Sequence, residues 1–198
     1  MQLFDFNKDY ILEDDRVILR PLTTNDVENL LYFSQQEPTL WQYSMQQADS
    51  EEKLNKYIAT ALENRNNQTE YPFIVYDKQL ERYAGSTRFY DIQLQHQTMQ
   101  LGYTWYGKDF QGTGLNKHCK FLLLQFAFDE LQMKRVEFRA DNNNAKSIAA
   151  MKSIGCTVEG VLRQHVALPN GGRRDSIILS ILKEEWNHHV KENLSKKL

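Results

Sequence analysis

Residues 101–116, LGYTWYGKDFQGTGLN, constrain this chain more than any other stretch. An apolar, aromatic run ending at Tyr106 reads as a strand, and Gly112 and Gly114 punctuate the loop after it. Leu115, Cys119, Leu122, Leu123 and Phe126 then recur at helical spacing, which predicts a helix over 115–130. Glycine lets backbone turn tightly and approach a ligand without a Cβ in the way. A helix start presents unpaired N–H groups and partial positive charge, a seat for phosphate. The same residues also describe an ordinary strand-to-helix turn, and the rest of the chain decides between the two.

With 198 residues, 41% hydrophobic and 25% charged, the chain suits one compact domain over 1–198. A formal charge of -2 gives no reason to expect nucleic acid or an acidic membrane as partner. No apolar run is long enough to span a bilayer, and the opening MQLFDFNKDY lacks a signal-peptide core, so a cytoplasmic protein is expected. Cys119 and Cys156 make neither a disulfide framework nor a metal cluster, and no metal is expected.

After a loose N-terminal segment, Val17 to Pro21 reads as a short strand stopped by proline. Thr24, Asn25 and Asp26 are candidate caps for a helix through Val27, Leu30, Leu31 and Phe33. Ser50 opens a second helix with Leu54, Tyr57, Ile58, Ala61 and Leu62 on one face. Between them, 35–49 carries Trp41, Tyr43 and Met45, fitting either a loop over a cleft or a surface loop with anchored rings. The runs 73–76 and 83–90 make an antiparallel hairpin, and a glutamine-rich loop at 92–97 leads to the strand at 99–106. Val136, Phe138 and Ala140 alternate as another strand, followed by a helix over 145–153 that stops at Gly155. A last hairpin, 160–168 and 175–182, turns at Pro169-Asn170-Gly171-Gly172, and the tail from Lys183 reads as a short exposed helix. The order predicts an α/β (α+β) domain around a largely antiparallel sheet with one parallel crossover at the glycine loop.

Four landmarks then coincide in order and spacing. Gln111-Gly112-Thr113-Gly114-Leu115-Asn116 resembles the Q/R-x-x-G-x-G/A pyrophosphate loop of the GNAT N-acetyltransferase superfamily. Asn144-x-x-Ser147 with Ile154-Gly155 resembles that superfamily's second motif, and Glu159 to Arg163 the E-G-x-L-R that continues it. Val17 to Pro21, Arg174-Asp175-Ser176 and Glu185-Trp186 are similar to the branch containing ribosomal-protein-alanine N-acetyltransferases. The resemblance covers about 15–186 and implies a mixed sheet flanked by helices with one splayed parallel strand pair.

It also implies roles. Backbone N–H groups from Gln111, Gly112, Thr113, Gly114, Leu115 and Asn116 hold the acetyl-CoA pyrophosphate. Pantetheine slips between the strands at 101–106 and 136–141, and an N–H near Thr104 or Trp105 polarises the thioester carbonyl. Asn144 meets the pantetheine arm, and Ser147 stands near the sulfur, where its hydroxyl protonates the leaving thiolate; read without the resemblance, Asn144 is a helix N-cap and Ser147 a small packing residue. The pattern departs at Asn116, at Cys156, at Met151 in place of the tyrosine acid, and at Gln100 in place of the glutamate base. His165 is a candidate base or a packing histidine, with Glu37, Glu70 and water as further options; His118, His188 and His189 stand apart.

The expected activity is transfer of acetyl from acetyl-CoA to a primary amine by direct attack, onto a small amine or a protein or peptide N-terminus. Gln100 and Met151 motivate an alternative from another class, a catalytically impaired CoA-binding regulator. A dinucleotide domain fails at once, because Lys117 stands where the third glycine of G-x-G-x-x-G belongs. A homodimer is among the arrangements left open.

Overall fold

The computed structural model describes residues 4–168 and 171–198. Eight strands form one sheet in the order β1-β2-β3-β4-β5-β6-β8-β7. They are β1 (Leu12–Glu13), β2 (Val17–Pro21), β3 (Glu70–Asp77), β4 (Arg82–Gln93), β5 (Thr98–Tyr106), β6 (Arg135–Asp141), β7 (Thr157–Ala167) and β8 (Arg173–Leu182). Every neighbouring pair is antiparallel except β5 and β6. That exception needs a crossover, which α3 (Leu115–Gln125) and a wider π-type turn, Phe126–Glu130, provide. The expected architecture is therefore the one observed.

The helices cover the sheet unequally. Thr87 and Arg88 are neighbours on β4 and must face opposite ways. Thr87 meets Lys120 of α3, while Arg88 lies 4.6 Å from the Tyr57 ring of α2 (Glu51–Asn66), so α2 and α3 occupy opposite faces. Covered on both sides, β3 is buried along nearly its whole length. Helix α1 (Asp26–Gln36) packs on α2, and α4 (Ala145–Ser153) follows β6. Ser50 accepts from the Lys53 N–H and caps α2 as predicted.

Four expectations need correction. The N-terminal segment is not loose: Phe4, Phe6 and Tyr10 are buried, and Phe4 and Tyr10 contact Tyr71 and Phe126. The tail is not an exposed helix. Its turns, Lys183–Glu185, Trp186–Val190 and Lys191–Ser195, bury Trp186, Val190 and Leu194 at four-residue spacing. The start of α1 makes no N-cap bond from the Asn25 side chain; instead the Asp26 carboxylate accepts the Thr23 N–H and a two-pronged Arg20 ion pair. The buried face of α3 is Leu115, Cys119, Lys120, Leu123 and Leu124, with Leu122 only half-buried. Pro169 and Asn170, half of the predicted last turn, lie outside the described residues.

Candidate functional site

Gly112 and Gly114 adopt φ of +78° and +93°, where a Cβ is penalised. An added Cβ at either meets nothing within 4 Å, so the loop's outer side is an open cradle. Among the described residues, the N–H groups of Gly112, Thr113, Gly114 and Asn116 find no acceptor, whereas Gln111 N–H bonds the Lys108 carbonyl and Leu115 N–H the Thr113 hydroxyl at 3.4 Å. The Thr113 hydroxyl donates inward to the Phe110 carbonyl and the Gln111 amide to the Tyr106 carbonyl, bracing the loop from beneath. Lys146, in the first turn of α4, donates to Gln111 Oε1 and brings a cation to the rim.

Beside the cradle, β5 and β6 part. Their register runs only through Thr98↔Arg135, Met99↔Val136 and Gln100↔Glu137. On the other edge of β5, just beyond that point, Tyr103 takes φ +48° and the register with β4 jumps from Ser86↔Trp105 to Arg88↔Gly102. An extra residue on one strand bends it and increases its twist. Trp105 is buried with its ring 4.8 Å from Trp41, which anchors the 35–49 loop beside β5. The Thr104 hydroxyl faces α3 and accepts a 2.7 Å bond from Lys120.

Asn144 caps α4, its Oδ1 accepting the Ser147 N–H at 3.1 Å. Its capping role is therefore present whatever else its Nδ2 does. Asn144→Ala should cost about 1 kcal/mol of stability, read from urea unfolding. Ser147 is half-buried and its hydroxyl has no partner among the described residues.

His165 is half-buried on β7, with Nδ1 3.0 Å from the Ser176 hydroxyl, which also accepts from Arg174 Nε. Ser176 pairs with Asp141 at the end of β6, so His165 and Asn144 belong to the same end of the sheet. Gln164, at φ +49°, kinks β7 there and bonds Asp175 through its N–H. Gln100 donates to Asp91 at 2.7 Å, and Met151 is buried. The other carboxylates weighed as bases are engaged: Glu37 accepts the Lys108 N–H, and Glu70 pairs with Arg88 at 2.6 Å. Asp14, Asp15 and His118 cluster apart from these residues, but Asp14 is occupied by the Arg16 and Val17 N–H groups and by His118.

Three residues here escape motif spacing. Lys146 carries the weak signal of a base in the first turn after Asn144. Arg88 is fully buried between the Tyr57 and Tyr103 rings, at 4.6 and 4.1 Å, and nothing in an alternating strand announces that. Lys120 stands in the apolar arc of α3, one residue after Cys119 and three before Leu123.

The model for the GNAT acetyltransferase domain matches residues 16–157, most of the chain and both halves of this site. The chain belongs to the GNAT acetyltransferase family. It is 32% identical over 113 residues to the "Putative ribosomal N-acetyltransferase YdaF" of Bacillus subtilis, a match that spans 57% of this chain and 59% of that protein. A crystal structure described as a "putative acetyltransferase" from T. thermophilus superposes with TM-score 0.87 at 30% identity, each chain covered completely. The microcin C7 self-immunity acetyltransferase MccE, solved with acetyl-CoA and AMP, shares the fold at TM-score 0.76 and 24% identity, covering 85% of this chain and 93% of that one. As a GNAT protein this chain is a transferase of acetyl groups, and its cradle and parted strands are the two local features that set its fold apart from an ordinary antiparallel sheet.

Among the described residues, no helix is long and apolar enough to cross a membrane.

Proposed function

We propose that residues 1–198 form one acetyl-CoA-dependent N-acetyltransferase domain acting on a primary amine. The observation that carries this reading is the cradle: four N–H groups without acceptors around two glycines whose missing Cβ atoms leave the approach open. A pyrophosphate fits that donor set, and Lys146 adds charge at its rim. Acetyl-CoA supplies the activated acetyl group when bound. Gln111 to Asn116 hold the phosphates, Asn144 offers its Nδ2 to the pantetheine amides, and Ser147 offers its hydroxyl near the sulfur. The unpaired edge of β5 at Thr104 and Trp105 supplies the donor for the carbonyl oxygen.

His165 is the candidate group to take the proton that the attacking amine must lose, its ring oriented by Ser176. With Gln100 and Met151 at the usual positions, rate depends heavily on positioning. The acceptor is a small amine or a peptide N-terminus. The likeness to YdaF brings a ribosomal protein within that class, without singling it out.

Gly114→Val tests the donor site. At φ +93° the branched side chain costs about 1–3 kcal/mol of backbone strain, so stability is measured in parallel. Acetyl-CoA affinity by calorimetry should fall at least about tenfold, the worth of one to two hydrogen bonds to a charged group. Unchanged affinity in a folded variant rejects the cradle as the pyrophosphate site.

A further inference from the structure

Lys120 is only 5% exposed and faces the sheet from α3. Its Nζ donates to the Thr104 hydroxyl at 2.7 Å and to the Thr87 hydroxyl at 3.4 Å, and stands 6.0 Å from the Phe138 ring. Thr104 belongs to β5 and Phe138 to β6, so the amine bridges the two strands just beyond the point where their ladder ends at Gln100↔Glu137. The ionisable groups facing it are Cys119 on its own helix and Cys156 after α4, with Tyr106 of β5 against Cys119. Burial pushes both thiols up to about 12 and Tyr106 well above its ordinary value, so all three are neutral near pH 7. No carboxylate pairs with Lys120 among the described residues. A buried ammonium without a counter-ion is costly. It points to an anion that is present only part of the time.

The reading above supplies one. We propose that Lys120 is the proton donor to the CoA sulfur as it leaves, replacing the tyrosine for which Met151 stands. This rests on the CoA site being where the cradle puts it. The placement agrees on two counts. Cys156, whose N–H bonds the Met151 carbonyl just after α4, is one of the ionisable groups facing Lys120. Thr104 links the amine to the strand that carries the carbonyl donor. In the step, the amine nitrogen bonds the acetyl carbon, the C–S bond breaks with its electron pair on sulfur, and Nζ–H delivers the proton that yields the free thiol. Lys120 is left neutral and regains a proton from solvent, matching the one lost by the amine. A serine hydroxyl cannot be the net source, because its alkoxide is too basic to persist; Ser147 can only orient or relay. Burial brings the Lys120 amine down to about 8, close to the working pH that suits a donor.

The test compares wild type with Lys120→Met, which removes the charge and keeps the stem, and with Thr104→Val, which removes the hydroxyl partner. The readout is the ultraviolet thiolate absorbance of bound CoA against pH, with desulfo-CoA affinity as control. In wild type thiolate absorbance should begin to appear at lower pH than in free CoA, because the Lys120 ammonium stabilises the thiolate until the amine itself titrates through about 8. In Lys120→Met that shift should vanish, while desulfo-CoA binds both proteins equally. Turnover should fall about 100-fold in Lys120→Met. The wild-type rate should also decline as pH rises through about 8, because the donor must be protonated, and the variant should lack that limb. An identical thiol titration in both proteins overturns the proposal and leaves the CoA site standing. Failure of wild type to bind desulfo-CoA overturns the site itself, and the proposal with it. If Lys120→Met does not fold, an unshifted thiol in wild type, or a shift undiminished in Thr104→Val, overturns the proposal.

Discussion

Glu70→Ala should destabilise the protein by about 3–5 kcal/mol, the penalty for stranding a buried charge. Arg88 is fully buried, and among the described residues its one ion-pair contact is the 2.6 Å bond from Nη1 to Glu70. Its Nε and Nη2 have no hydrogen-bond partner among the described residues, so the guanidinium leans on Glu70 and on the Tyr57 and Tyr103 rings. Without Glu70 the buried charge loses its ion-pair partner. Replacing both residues together, Glu70→Leu with Arg88→Met, should recover most of the loss, because an apolar pair needs no solvation. Urea unfolding of the two single variants and the double gives the coupling energy. A single-variant cost under about 1 kcal/mol would mean that water reaches Arg88 and that the burial argument is wrong. Arg88 also rests against the ring of Tyr103, the positive-φ residue of β5 three positions beyond the last pair with β6 at Gln100. Turnover in Glu70→Ala should therefore fall even in conditions where the variant stays folded.

The fold was legible because its signals are local. Alternation in Val136, Phe138 and Ala140 and the spacing from Ala145 to Ser153 locate β6 and α4, and Gly155 at φ +101° ends α4 as a glycine after a helix should. The turn at Gly112 and Gly114 was legible for the same reason, since two glycines and a helix start lie within one short window. What escaped depends on which surface a helix meets. Lys120 breaks the apolar pattern of α3 by its charge, and only the position of β5 and β6 beneath the helix buries it. Arg88 is hidden in the same way, by rings from α2 and β5 that no sequence window contains. His165 was placed on the right strand, but its link to Ser176 follows from a kink at Gln164 that alternation cannot reveal.

The tail is the clearest case of a signal present and outweighed. Trp186, Val190 and Leu194 repeat every four residues, yet lysines, glutamates and two exposed histidines around them suggest a solvated helix. Trp186→Ala should cost about 3–5 kcal/mol, the range for emptying a large buried ring site. The ring is fully buried, 5.6 Å from Phe128 and 5.8 Å from Phe121, and its Nε1 donates to Asp129 at 3.0 Å. Asp129 also accepts from Lys191 at 2.6 Å, tying the tail to the end of the α3 crossover. Trp186→Phe keeps most of the packing and loses that bond, so it should cost nearer 1–2 kcal/mol. Equal costs for the two variants would show that the hydrogen bond rather than the ring holds the tail. The tail in turn supports the helix that carries Asn144 and Ser147: a Cβ built on Gly155, at the end of α4, would come within 2.9 Å of Val190. Loss of Trp186 should therefore loosen the end of α4 as well as the tail, seen as faster amide exchange at Ile154 to Cys156, while exchange in the loop at Gly112 and Gly114 stays unchanged.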